Sequence, residues 1–266
     1  MSNHKALNMF GRSGNPALKA DTFSRSARGT SSSGGIQSMA SGTMTLQGTV
    51  NKTGILLALV VVSATYTWNL FFESGDAGAV MPLAIGGAIV GFIFALITIF
   101  KKQWAGTTAP IYALAEGLFL GAISAIFEAQ YPGIVIQAVG LTLGTLASLL
   151  FLYKTGIVKP TENFRLMVTS ATMGIGLLYL VSMLMNMFGS GGIGFIHSNG
   201  LFGIGYSLFV VAIAALNLVL DFDFIEQGSE MGAPKYMEWF GAFSLMVTLI
   251  WLYLEMLRLL AKLRSR

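Results

Sequence analysis

The sequence predicts an all-α, polytopic membrane protein: a seven-helix bundle preceded by a disordered N-terminal tail. Three observations carry that reading. Of the 266 residues, 54% are hydrophobic and only 11% are charged, against about 25% charged in ordinary soluble domains. The apolar residues fall in seven long unbroken runs, and the basic residues gather at the flanks of those runs. Mean hydropathy is +0.70. A net charge of +4 would suggest nucleic acid in a soluble chain, but here the Lys and Arg positions read as topology signals.

Residues 1–52 form a separate regime, rich in Ser, Gly and Thr, with six of the sixteen basic residues. Such a segment buries too little apolar area to offset its chain entropy, so it is expected to be a disordered tail, with the membrane domain at 53–266. It does not read as a secretory signal, because the first apolar run begins about fifty residues in and is long enough to span.

The apolar runs lie at about 54–72, 79–100, 109–128, 133–153, 166–188, 201–222 and 236–260, each of a length that a helix needs to cross a bilayer. Membrane-spanning strands would instead show period-2 segments of about ten residues. Lys and Arg alternate between loops: six in the tail, none after the first run, Lys101 and Lys102 after the second, none after the third. Lys154, Lys159 and Arg165 then follow the fourth run, none the fifth, and Lys235 the sixth. The N-terminus is therefore expected in the cytoplasm. Seven spans put the C-terminus outside, yet it carries Arg258, Lys262, Arg264 and Arg266. A re-entrant last segment would put that tail inside; the unbroken length of 236–260 favours a seventh span.

The pairs Gly87 and Gly91, Gly117 and Gly121, and Gly140 and Gly144 each place two glycines on one helix face, so close contacts are expected among the second, third and fourth helices. The fourteen methionines read as packing, not as a metal-binding set.

An ionised side chain in mid-span costs about 2.5–3.5 kcal/mol on insertion scales, so each needs a reason. Glu116 lies near the centre of the third run, where a carboxyl suits proton- or cation-linked work or an interhelical hydrogen bond. Ser244, Thr248, Glu255 and Arg258 fall within an arc of about 80° on the last helix. Glu255 and Arg258, at i and i+3, are placed to pair as a gate or an interfacial salt bridge. Tyr206, Asn217 and Asp221 share about 60° of the sixth helix, with Asp223 about 160° away from Asp221, so Asp221 ranks above Asp223 as a pathway residue.

Other patterns carry less. Asp221 and Asp223 begin like a calcium loop, but Ile225 and Glu226 break the ligand pattern. Gly189 to Gly194 matches a dinucleotide fingerprint formally while joining two membrane helices. Ser190 and His197 lack an intramembrane-protease register. A retinal Schiff base needs a lysine inside the last span, and Lys262 lies beyond the expected end. With no cysteine and only His4 and His197, disulfides, thiolate chemistry and Cys- or His-rich metal sites are excluded. No enzymatic constellation and no cofactor is expected.

Residues Asn217 to Ile225 (NLVLDFDFI), Ala233 to Phe243 (APKYMEWFGAF) and Leu249 to Leu260 (LIWLYLEMLRLL) resemble the Bax inhibitor-like, or transmembrane Bax inhibitor motif, family. The bacterial branch is the closer match. The resemblance is best over about 201–260, with Ala109 to Ser124 similar as well. It implies a seven-helix bundle with a central last helix and, in some members, a pH-sensitive calcium leak. In those members an aspartate late in the sixth helix pairs with one in the seventh as a latch near the cytoplasmic side. Asp221 falls at the first position. Ten residues before Arg258, the second position is Thr248, which hydrogen-bonds but does not titrate. Glu116 is therefore expected to supply the second titrating carboxylate; Glu255 is a poorer substitute, about 10 Å further along the helix.

The expected function is a passive, pH-sensitive cation leak, calcium foremost, with the lipid bilayer as its surroundings and no nucleic-acid partner. The alternative is a non-conducting regulator that binds a membrane protease or another membrane protein. A transporter ranks third, because no inverted repeat is evident.

Overall fold

The computed structural model describes residues 42–189 and 192–265. Seven helices are long and apolar enough to cross a membrane, which makes the chain an all-α, multi-pass membrane protein. They are α1 (Leu46–Ser74), α2 (Ala77–Phe100), α3 (Ala105–Gln130, preceded by a 3₁₀ turn Lys102–Trp104), α4 (Ile134–Lys154), α5 (Glu162–Met187), α7 (Leu201–Glu230) and α8 (Met237–Arg264). The short α6 (Gly194–His197) sits in the connection from α5 to α7. Among the described residues the only β pairing is an isolated bridge between Thr43 and Pro234.

Local signals set the helix ends. Thr45 caps α1 by accepting the Gly48 N–H at 3.0 Å, and Asp76 caps α2 by accepting the Gly78 N–H at 2.9 Å, each satisfying a donor that the first turn leaves orphaned. Between them Gly75, at φ 66°, takes the left-handed cap that closes α1, a conformation that costs glycine nothing.

The helices overrun the apolar runs, and this corrects two expectations. The expected division at 52/53 falls inside α1, which starts at Leu46. The segment leading into it is held by polar bonds that hydropathy does not register: the Met44 N–H donates to Ala233 O at 2.6 Å and the Lys235 N–H to Gly42 O at 2.8 Å. Residues 1–41 of the expected tail lie outside the described residues. At the other end, α8 continues to Arg264, so Lys262 belongs to the last helix rather than lying past it. Basic residues do not stop a helix whose final turn finds acceptors for them.

The described residues divide into two compact units: 42–132 with 223–247, and 133–222 with 248–265. α7 and α8 are continuous helices that contribute to both.

In the first unit α3 packs against α1 and α2, and glycines set the spacing. A Cβ on Gly87 would collide with the Ala115 carbonyl of α3, and one on Gly117 or Gly121 would collide with Val60, Ser63, Ala64 and Thr67 of α1. The expected contact between the second and third helices forms at Gly87, while Gly117 and Gly121 pack instead against α1, which lay outside the expectation. The expectation fails for Gly140 and Gly144, where a Cβ would meet nothing within 4 Å; spacing alone does not distinguish a packed glycine face from an open one. Ring contacts add to the packing, with Tyr112 and Phe243 edge to face at 5.0 Å.

In the second unit Ile175, Val210 and Ile213 form a buried cluster packed by Tyr179, Tyr206 and Trp251. The last turn of α8 reaches the start of α7 and the α5–α7 connection: Lys262 Nζ donates to Ile196 O at 2.6 Å and to Gly203 O at 3.1 Å. Arg264 Nη2 donates to Gln137 Oε1, near the start of α4, at 2.9 Å. α8 therefore ends where α4 and α7 begin.

Candidate functional site

The buried charged side chains of the second unit lie along facing stripes of α7 and α8, while Thr142 on α4 and Thr169 and Ser182 on α5 are buried polar residues outside those stripes. Asp221 is fully buried and Asn217, one turn earlier, is 2% exposed. Thr248 Oγ1 of α8 donates to Asp221 Oδ2 at 2.6 Å, so the expected pairing of these two positions is formed, with a hydroxyl as the partner. Asn217 Nδ2 donates to Thr172 Oγ1 at 2.8 Å and to Ile213 O at 2.9 Å. Its Oδ1 is buried with no hydrogen-bond partner among the described residues. Such an atom calls for an explanation, because buried polar atoms are nearly always satisfied.

Further along α8, Glu255 is 2% exposed. Its Oε1 accepts from Tyr179 Oη at 3.0 Å and from Arg258 Nη1 at 2.7 Å. The same Arg258 nitrogen donates to Tyr179 Oη at 2.8 Å, and the guanidinium lies 5.4 Å from the centre of the Tyr179 ring, within cation–π range. The expected i,i+3 pair thus forms as one side of a triangle that α5 completes. Glu255 Oε2, like Asn217 Oδ1, is buried and unpartnered among the described residues.

In the first unit Glu116 is half-buried. It hydrogen-bonds with Tyr112 one turn earlier and lies over Gly91 of α2, where a Cβ would stand 3.0 Å from its Oε1. Asp223, 8% exposed, accepts from Gln227 Nε2 at 2.8 Å. It belongs to the first unit while Asp221, two residues earlier, belongs to the second.

Three polar centres escape sequence reasoning. Glu238, fully buried, accepts the Thr45 N–H at 2.9 Å and Thr45 Oγ1 at 2.8 Å. It also pairs with Lys235 at 2.7 Å and with Lys52; only the i,i+3 spacing to Lys235 was there to be read. Lys262 is 5% exposed with Nζ bonded to three oxygens, the third being Ser207 Oγ at 2.8 Å. Its reach to Ser207 spans 55 residues. Tyr179, finally, carries no sequence signal for its contact with α8.

No curated protein and no solved structure matches the chain. A family model does, over residues 15–265, and that span takes in both units and every residue described above. The chain belongs to the family described as Bax inhibitor 1 like.

Proposed function

We propose that the protein is a pH-sensitive passive leak for cations, calcium foremost, in a bacterial inner membrane, with its N-terminus in the cytoplasm. One observation carries the reading: Asn217, Asp221 and Glu255 are buried in the facing stripes of α7 and α8, and two of the three keep an oxygen without a partner among the described residues. Hard oxygen atoms are what calcium and other small cations exchange for their hydration shell. Intramembrane acids that face protein rather than lipid mark ion paths by default.

In this reading Asp221 and Thr248 form the controlling contact. The ionised carboxylate accepts the Thr248 hydrogen bond and offers charge to a cation; protonation removes that charge and weakens the bond. Glu116 is the second titrating group, near the middle of α3, with Tyr112 orienting it. Flux should therefore fall as pH falls, since both acids lose charge in the same direction.

The alternative, a non-conducting regulator that binds another membrane protein, draws on Thr248, which stands where a second acid would complete a two-acid latch. Vesicles holding a trapped calcium indicator separate the two. Entry above that of empty vesicles supports the leak, and entry equal to theirs between about pH 6 and about pH 8 leaves the regulator. Asp221→Asn and Glu116→Gln should each flatten the pH profile; a leak with an unchanged profile in both would keep the channel and remove these residues from it.

A further inference from the structure

Lys262 is a buried cation whose three bonds in the second unit all go to neutral oxygens. An ammonium has three N–H donors, and here they meet Ile196 O at 2.6 Å, Ser207 Oγ at 2.8 Å and Gly203 O at 3.1 Å. Lys52 and Lys235, by contrast, both pair with Glu238. Two carbonyls and a hydroxyl converging on one point are the ligand set with which proteins replace the hydration shell of a small monovalent cation.

Its position connects it to the acids already described. Lys262 follows Ser244 by eighteen residues, about five whole turns, so it lies on the same face of α8 as Thr248, Glu255 and Arg258. The partner stripe on α7 agrees. Fourteen residues separate Asp221 from Ser207, and fourteen separate Thr248 from Lys262, so both hydrogen-bonded pairs sit on one antiparallel register. They lie about 21 Å apart along the helices. Glu255, whose Oε2 has no partner among the described residues, lies between the two pairs on α8.

We infer that Lys262 is a tethered cation: its ammonium fills an oxygen-lined monovalent-cation site at the α7 N-terminal end of this seam and plugs it. The plugging role rests on the leak reading; the cation site does not. A positive charge fixed at the end of a cation path repels the ions that approach it and denies them the ligands they would need. Arg258, one turn earlier, holds its own charge against Glu255 and Tyr179, so Lys262 is the charge assigned to the mouth.

Two measurements on Lys262→Met test this. Thermal unfolding of the purified protein is compared in sodium or potassium chloride and in N-methylglucamine chloride of equal ionic strength. The emptied cage should make Lys262→Met more stable in the small cations than in the bulky one. The wild type should not distinguish them, and adding Ser207→Ala to the variant should remove the effect. In indicator-loaded vesicles the variant should leak about tenfold faster, as lowering a barrier by a little over 1 kcal/mol would do. Equal stability of Lys262→Met in small and bulky cations would overturn the cation site. A small-cation effect with flux unchanged from a conducting wild type would overturn the plug. A small-cation effect with no flux in any form would keep the site and sink the leak reading instead. Should Lys262→Met fail to fold, Ser207→Ala alone removes one acceptor while keeping the charge. A loosened plug then raises flux, and a purely structural bond lowers the melting temperature with flux unchanged.

Discussion

Asp221 shows what a single buried acid demands of its surroundings. A carboxylate with no solvent contact is tolerated only where hydrogen bonds replace water, and Thr248 supplies one at 2.6 Å. Thr248→Val keeps the shape and removes the donor, so it should destabilise the protein by about 1–3 kcal/mol in thermal unfolding. Thr248→Asp should move the pH dependence of flux to higher pH and spread it over a wider range, because two carboxylates in contact repel and one of them holds its proton more tightly. Asp221 was legible in the sequence because it follows Asn217 by one turn in an apolar run. The Tyr179 contact to Glu255 was not, since it joins residues 76 positions apart and no periodicity encodes which helix faces which. Glu238 was missed for a related reason: sequence places it outside the hydrophobic centre of the last run, while the fold makes it the anchor for Thr45, Lys52 and Lys235. Glu238→Ala, which leaves Lys52 without its carboxylate, should cost about 3–5 kcal/mol in thermal unfolding, the range for breaking a buried pair.

At the scale of elements, the small-residue faces decide how closely helices approach. Gly117 and Gly121 sit against the backbone of α1, and a larger side chain there has no flexible neighbour to displace. Gly121→Val should lower stability by about 1–3 kcal/mol or more, the cost of overpacking. Gly140→Ala, with open space around it, should stay neutral or gain slightly, since it improves helix propensity; parallel thermal melts in detergent check both. All three glycine pairs have the same i,i+4 spacing in the sequence, so what separates them is the neighbour, which only the fold supplies. Helix existence was legible in all seven cases because each needs about twenty apolar residues. Helix ends were not: caps such as Thr45 and the polar last turn of α8 extend the helices past their hydrophobic portions.

At the scale of the whole molecule, the two ends of α8 are held by different parts of the chain. Its first turn, through Glu238, holds the start of α1. Its last turn, through Lys262 and Arg264, holds the α5–α7 connection and the start of α4. At that last turn, bonds to carbonyls and to Gln137 engage charges that the counting rule treats as free. The chain has no cysteine, so single-cysteine variants report topology without background: with the N-terminus inside, Ser265→Cys should react with an impermeant thiol reagent added outside intact cells, and Gln47→Cys should not. The central claim is that buried acids on the α7–α8 seam govern a passive cation leak, and calcium entry into indicator-loaded vesicles tests it most directly. The account predicts entry by the wild type that falls as pH falls, and a flatter profile for Asp221→Asn. Entry no faster than in protein-free vesicles at every pH would contradict it.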